Sequence, residues 1–153
     1  MENNFQRVGS VSNAHVGREF EKVAARILRR AGVPVSSDFV VDIGIAKNKK
    51  PHRFDLGAED PAVLVECKSH RWTTGGNIPS AKLTVWNEAM LYFSCAPSSY
   101  RKIFFVLRDE RAKSGETLAN YYLRVYRHLI PEGVELWEYD ASTDDVNVVY
   151  GGS

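Results

Sequence analysis

The chain has 153 residues, of which 44% are hydrophobic and 25% are charged, and its formal net charge is +1. This length supports one domain with a proper core, and the composition is that of an ordinary globular protein that folds without metals or disulfides. No apolar run approaches the ~20 residues of a membrane span, and the polar start lacks the core of a signal peptide, so we expect no membrane partner.

The first predicted element is a helix over 16–31. A polar stretch rich in Asn and Ser precedes it at 1–14, and we expect this stretch to be a flexible N-terminal arm. Apolar residues then recur at steps of three and four, starting at Phe20. Gly32 is followed shortly by a proline, which ends the helix.

The remaining elements alternate between strands and helices. In chain order they are predicted strands over 35–45, 52–58 and 62–70, a helix over 79–93, a strand over 102–107, a helix over 116–128 and a strand over 134–139. A helix that joins the third strand to a fourth implies a mixed sheet covered by helices, with the order αβββαβ followed by αβ. The fold class is therefore α/β, in a single domain over 15–140. The acidic C-terminal tail, 141–153, is either a further short strand or partly disordered.

The most informative pattern lies on the second and third predicted strands. Asp55 closes one strand, and Glu66 and Lys68 follow on the next strand after an apolar run. Because side chains alternate along a strand, Glu66 and Lys68 project from the same side of the sheet. Charged groups beside a buried strand need a compensating partner, and carboxylates are the hard oxygen ligands that Mg²⁺ prefers. The pattern therefore suits a divalent cation and phosphodiester hydrolysis.

Asp55, Glu66 and Lys68 resemble the core motif of the PD-(D/E)xK nuclease superfamily, which has the restriction-endonuclease-like fold. Phe54 stands where the family name has a proline. The predicted element order over about 16–108 also resembles the core of that superfamily. The resemblance implies a DNA endonuclease that hydrolyses phosphodiester bonds with Mg²⁺, for which Mn²⁺ can substitute. Restriction, homing, junction-resolving and repair enzymes all remain open.

The resemblance also implies roles for individual residues of the metal site. Asp55, Glu66 and the backbone carbonyl of Cys67 would hold one metal ion, and Lys68 would position the attacking water. Asp55, together with a glutamate from the first helix, would assist a second ion.

A glutamate from the first predicted helix is expected to complete the metal site. Many members of the superfamily carry it in a Gly-x-x-Phe-Glu pattern, which the segment from Gly17 to Glu21 resembles. Helical geometry places Glu21 about 85° from the centre of the apolar stripe and Glu19 about 115° from it. We therefore expect Glu21, as a catalytic and metal-binding residue, to complete the site. The alternative is a solvated Glu21 paired with Arg18 or Lys22.

Contacts with DNA are expected from cationic residues around this site. They are Lys47, Lys49, Lys50 and Arg53 at or beside the tip of the first hairpin, His70 and Arg71 after the third strand, and Lys82 in the second helix. A basic cluster of this kind binds phosphates with salt-dependent affinity that is independent of sequence. Arg71 and Trp72 either grip the DNA, with Trp72 stacking on a base, or simply end the strand, with Trp72 capping the core.

The assembly and the location of the protein complete the expectations. A chain of this size carries one active site, so cutting both strands of a duplex needs a homodimer or sequential nicking, and we expect a homodimer. Neither Cys67 nor Cys95 stands in a metal-binding or redox spacing, which favours reduced thiols and a cytoplasmic protein. The alternative function is a non-catalytic nucleic-acid-binding or assembly subunit that retains the nuclease fold. A metal-dependent enzyme that acts on RNA or small phosphate esters is a third possibility.

Overall fold

The computed structural model describes residues 10–152, with side chains from residue 14 onward. The elements in chain order are α1 (Ser10–Arg30), β1 (Ser36–Ile43), β2 (Lys50–Glu59), β3 (Ala62–Lys68), α2 (Ser80–Cys95), β4 (Arg101–Leu107), α3 (Leu118–Tyr126), a short 3-10 helix (Arg127–Leu129), β5 (Val134–Asp140) and β6 (Asp145–Tyr150). Within the described residues, none of the helices combines the length and the apolar character that a membrane crossing requires.

The six strands form one mixed sheet in the order β1-β2-β3-β4-β5-β6. β1, β2 and β3 pair with one another in antiparallel fashion, as in a meander. β3, β4 and β5 are parallel, because α2 and α3 carry the chain back across the sheet between them, and β6 returns antiparallel to β5. The predicted α/β class, with a mixed sheet flanked by helices, is confirmed.

The core consists of two apolar layers, one on each face of the sheet. α2 and α3 cover one face, where Trp86 and Tyr122 pack against Phe104. α1 covers the other face, where Leu28 belongs to the same cluster as Phe105. Neighbouring residues of β4 thus face opposite layers, which explains why this strand is an uninterrupted apolar run in the sequence.

Several element boundaries differ from the predicted ones. α1 begins at Ser10, so residues 10–14 of the expected arm are helical, while residues 1–9 lie outside the described residues. Apolar periodicity marks only the turns that pack on the sheet and therefore underestimates a helix that extends past it. β3 ends at Lys68 rather than at residue 70. In the acidic tail, β6 forms the further strand that was one of the two alternatives.

Candidate active site at the fork between β2 and β3

The candidate site lies where β2 and β3 separate. Their regular pairing ends at Leu56 and Val65. Leu56 packs in the layer beneath α1, but Phe54, two residues earlier, packs in the opposite layer, so β2 departs from simple alternation at Asp55. There the Asp55 Oδ2 atom accepts a hydrogen bond of 2.8 Å from the backbone N–H of Cys67. A carboxylate therefore binds a strand N–H group at the point where the ladder between the strands ends.

Glu66 and Lys68 lie on the same side of β3, as strand alternation predicts. The Lys68 Nζ atom is 4.0 Å from the Glu66 Oε1 atom, and the Glu66 side chain is only 8% exposed. Burial and the negative charge of Asp55 raise the pKa of Glu66 to about 8, although the charge of Lys68 acts in the opposite direction. One lysine therefore does not compensate the negative charge at the fork.

The first helix contributes Glu21 to the same fork. Burial, followed by the charge of Asp55 and a hydrogen bond with it, raises the pKa of Glu21 to about 7. Glu19 instead is exposed and forms an ion pair of 3.1 Å with Lys22. Of the two candidate glutamates, Glu21 is therefore the one that reaches Asp55, and Lys22 is engaged elsewhere.

His52 is a further member of this cluster, and the sequence analysis did not single it out as a site residue. Its ring packs against the Tyr92 ring at a centroid distance of 4.0 Å and an interplanar angle of 31°, and its Nε2 atom is 3.9 Å from the Glu66 Oε2 atom. Burial lowers the pKa of His52, and the buried Nε2 atom has no hydrogen-bond partner among the described residues. Alternation back from Phe54 along β2 was the signal that would have placed His52 beside the site.

The donor atoms at the fork fit a hard divalent cation. Glu21, Asp55 and Glu66 bring three carboxylates from three elements to one region, and the raised pKa values of two of them reflect burial and mutual repulsion. Within the part of the chain that the structure describes, no three His, Cys, Asp or Glu side chains are already spaced as a complete metal-binding group. Mg²⁺ usually keeps several waters and needs only one or two protein carboxylates, so the donor set suits such an ion.

The residues that follow β3 turn into the protein. The His70 Nδ1 atom accepts a hydrogen bond of 2.8 Å from the indole N–H of Trp86. Burial, with the charges of Lys82 and Lys68, lowers the pKa of His70 to about 4, so its ring is neutral at physiological pH. Trp72 is buried in the layer beneath α2 and α3, which is the second of its two predicted alternatives.

The cationic residues expected to contact DNA occupy two places. Lys47, Lys49 and Lys50 are exposed at the tip of the β1–β2 hairpin, where the Lys49 ammonium donates a hydrogen bond to the Gly44 carbonyl. In the same hairpin, Arg53 lies 3.7 Å from Asp38.

The two remaining cationic residues that were expected to contact DNA are Arg71, which follows β3, and Lys82 in α2. Arg71 forms an ion pair of 3.2 Å with Asp109. Lys82 is exposed in the first turn of α2, close enough for its charge to act on His70. The structure therefore places these cations near Lys68 but does not test whether they bind DNA.

Comparisons with known proteins give a distant structural similarity to one solved structure. No protein-family model matches the chain, and no curated protein matches it. Among solved structures, the chain is similar to the crystal structure of an XisH family protein from Nostoc punctiforme PCC 73102. The two share 15% sequence identity with a TM-score of 0.46, over 84% of this chain and 95% of that chain. A likeness this weak carries no argument about function.

Proposed function

We propose that this protein is a metal-dependent endonuclease that hydrolyses phosphodiester bonds in DNA. The observation that carries the proposal is the convergence of Glu21, Asp55 and Glu66 at the fork, where Asp55 accepts a hydrogen bond from Cys67 and Glu66 lies 4.0 Å from Lys68. The pKa values of Glu21 and Glu66 there are raised to about 7 and about 8. Buried carboxylates that repel one another are costly unless a cation compensates them. Divalent cation binding supplies that compensation and is the basis of a common form of phosphodiester hydrolysis.

Each residue at the fork has a role in the proposed reaction. Asp55 and Glu66 would hold Mg²⁺ or Mn²⁺ together with the Cys67 carbonyl. The N–H group of Cys67 points toward β2, and the carbonyl of the same residue points to the same side of the strand. Glu21 would complete the set of acidic ligands. When bound, the cation would polarise the phosphate and lower the pKa of water. Lys68, 4.0 Å from Glu66, would orient the attacking water and offset negative charge that develops on the phosphate.

DNA is the proposed substrate, and a homodimer in the cytoplasm is the proposed form of the enzyme. The exposed hairpin tip at Lys47, Lys49 and Lys50 would contact phosphates, with Arg53, Arg71 and Lys82 as further candidates and His70 as a neutral contact. Two copies would be needed to cut both strands in one binding event. Both cysteines are free, in keeping with a reducing compartment.

The proposal is tested with linear, supercoiled, nicked and four-way-junction DNA incubated with and without Mg²⁺. Wild-type protein is expected to cut at least one of these substrates in a cation-dependent manner. Lys68→Ala and Glu21→Gln are expected to lose cutting while they keep DNA binding. Glu19→Gln is the matched control, because Glu19 is an exposed carboxylate on the same helix and should retain full activity. Equal loss in Glu19→Gln and Glu21→Gln would contradict the role of Glu21.

One observation favours a second function, a non-catalytic nucleic-acid-binding or assembly subunit. The described residues contain no group of three His, Cys, Asp or Glu side chains already spaced to hold a metal. Under this alternative the protein binds DNA but cuts none of the substrates with either Mg²⁺ or Mn²⁺. Competition between DNA and RNA oligomers distinguishes both functions from an enzyme that acts on RNA.

A further inference from the structure

A short loop, residues 73–78, adjoins the candidate active site. It follows β3, whose last residue is Lys68, and it leads into α2, whose first turn contains Lys82. Lys68 and Lys82 both lie close enough to His70 for their charges to lower its pKa. Loop 73–78 therefore lies in the connection that joins the strand of Lys68 to the first turn of α2.

The loop is fixed to the connection between β4 and α3. Immediately before it, the Trp72 backbone N–H donates a hydrogen bond of 2.8 Å to Asp109, and the indole N–H donates to the carbonyls of Asp109 and Glu116. Arg111 lies over the Trp72 ring at 4.6 Å and donates a hydrogen bond of 2.7 Å to the Gly76 carbonyl. The loop is thus held at its base and near its tip by buried or partly buried groups.

Hydrogen bonds within the loop define its conformation. The Asn77 backbone N–H donates to the Thr73 hydroxyl at 2.8 Å, and the Thr73 backbone N–H donates to the Asn77 carbonyl at 3.2 Å. Gly76, with a φ of +77°, occupies a conformation that favours glycine. A loop that is already ordered loses little conformational entropy when it binds a partner.

The surface of the loop is open and carries one free amide. Asn77 is exposed, and its side chain makes no hydrogen bond with any described residue. Its three hydrogen bonds with Thr73 all use the backbone atoms of Asn77. A Cβ atom added to Gly76 would meet nothing within 4 Å, so the backbone there is unobstructed. A carboxamide offers a donor and an acceptor side by side, which matches the edge of adenine in the major groove.

We propose that loop 73–78 is a preformed DNA-recognition element in which the Asn77 side chain contacts a base edge and gives the protein a sequence preference. This inference rests on the proposed function in its choice of DNA as the ligand. The basic hairpin tip supplies affinity without sequence information, whereas Asn77 supplies discrimination without charge.

The test selects duplexes from a randomised DNA library by binding in Ca²⁺, and it measures cleavage of the selected pool separately in Mg²⁺. Wild-type protein is expected to enrich a base, adenine being the best fit, at one or more positions. Asn77→Ala should abolish that enrichment and weaken binding to the preferred sequence about tenfold, with little change for other sequences. Asn147→Ala, which alters an exposed asparagine on β6, is the matched control and should retain the wild-type preference.

The two proposals fail in different ways in this experiment. An enriched pool whose preference survives in Asn77→Ala, or a wild-type pool without any preference, overturns the role of the loop. If a pool with the expected preference is bound, but neither that pool nor any of the linear, supercoiled, nicked and four-way-junction substrates is cut with Mg²⁺ or Mn²⁺, the nuclease is overturned and recognition by Asn77 stays supported. A protein that retains RNA but no DNA from parallel libraries overturns both.

Discussion

Asp55 is stabilised in a different way from the two glutamates beside it. Its carboxylate accepts a hydrogen bond of 2.8 Å from the backbone N–H of Cys67. Glu21 and Glu66 face that charge from different elements, and their raised pKa values are the consequence of burial and of Asp55. The proposed cation site would therefore carry a cost in stability when no cation is bound, because the negative charge that would attract the cation also opposes folding.

This conflict predicts an unusual dependence of stability on pH. Folded Glu66 keeps its proton up to about pH 8, whereas the unfolded chain releases it near the ordinary value of 4.5. The folded state thus binds more protons, and without divalent cations its free energy of unfolding should fall by about 1.5 kcal/mol from about pH 7 to about pH 8.5. His70 stays neutral in this range, since its pKa is about 4. Urea unfolding in EDTA at several pH values measures the effect.

Two variants isolate the cause of that loss. Glu66→Gln carries no titrating proton and should flatten most of the dependence, whereas Glu19→Gln should behave as wild type. Saturating Mg²⁺ should restore the stability of the wild type at high pH, because it binds the folded state alone. A wild-type protein whose stability is constant or rises over this range would contradict the explanation.

Individual residues of the site differ in how well the sequence predicted them. Glu66 and Lys68 follow the period of two, so their common side was predictable from spacing alone. His52 was missed because the alternation of β2 was not followed back from Phe54, and its contact with Tyr92 depends on how α2 crosses the sheet. The sequence around Trp72 is compatible with stacking on a base and with capping the core. Only the hydrogen bonds of Trp72 to Asp109 and Glu116 decide between these two roles.

At the level of elements, regular patterns predicted type and order, while local geometry set the details. The meander followed from the short turns between the first three strands, and the mixed sheet followed from the helix between β3 and β4. The change of facing at Asp55 was not predictable, because a β-strand that departs from alternation leaves no periodic signal. The early start of α1 at Ser10 was missed for the related reason that its first turns lack apolar periodicity.

The β1–β2 hairpin depends on a close approach at Gly57. A Cβ atom added there would lie 2.6 Å from the Phe39 ring, which real contacts essentially never allow. Gly57→Ala is therefore expected to lower the free energy of unfolding by about 1–3 kcal/mol. Gly17→Ala in α1 is the control, since its Cβ would meet nothing within 4 Å and helix propensity should raise stability by about 0.5–1 kcal/mol. Chemical denaturation measures both, and a shift of the same sign in the two variants would contradict the account.

A partly buried ion pair between Arg101 and Glu135 joins the start of β4 to β5. Arg101 donates hydrogen bonds of 2.7 Å and 3.0 Å to the Glu135 carboxylate, which also accepts one from Trp137 and is only 7% exposed as a residue. Arg101→Ala leaves that carboxylate without its cation and should cost about 2 kcal/mol, a value reduced from that of a buried pair because Arg101 is 46% exposed.

The exposed pair between Arg124 and Glu116 provides the comparison. It has similar two-point geometry, at 3.0 Å for each bond, but the Arg124 side chain is 60% exposed. Arg124→Ala should therefore cost clearly less stability than Arg101→Ala. Thermal and urea unfolding of both variants give the ratio, and a larger loss in Arg124→Ala would show that burial of the carboxylate is not the deciding factor.

The charge of the whole molecule gives little indication of its partner, whereas the position of the charges does. A net charge of +1 neither attracts nor repels DNA strongly, but the exposed lysines at the hairpin tip concentrate positive charge at one place. Arg108, by contrast, lies within 4 Å of three carboxylates, those of Glu110, Glu138 and Asp140. If DNA binds to the hairpin, removing charge there should matter more than removing it elsewhere.

Two double variants of equal total charge separate location from net charge. Replacing Lys47 and Lys50 with glutamine changes the net charge from +1 to −1, and so does replacing Arg124 and Arg127, which are exposed on and just after α3. Each lost phosphate contact reduces the steepness of the plot of log DNA-binding constant against log salt concentration by about 0.9. The hairpin variant should therefore lose nearly two units of slope, and the loss should be the same for every DNA sequence. The second variant should keep the wild-type slope.

Because Asn77 carries no charge, its replacement should change the sequence preference and leave the salt slope intact. Fluorescence titrations over a range of salt concentrations therefore distinguish attraction at the hairpin from recognition at the loop. Equal slopes in both double variants would mean that DNA senses only the total charge of the protein.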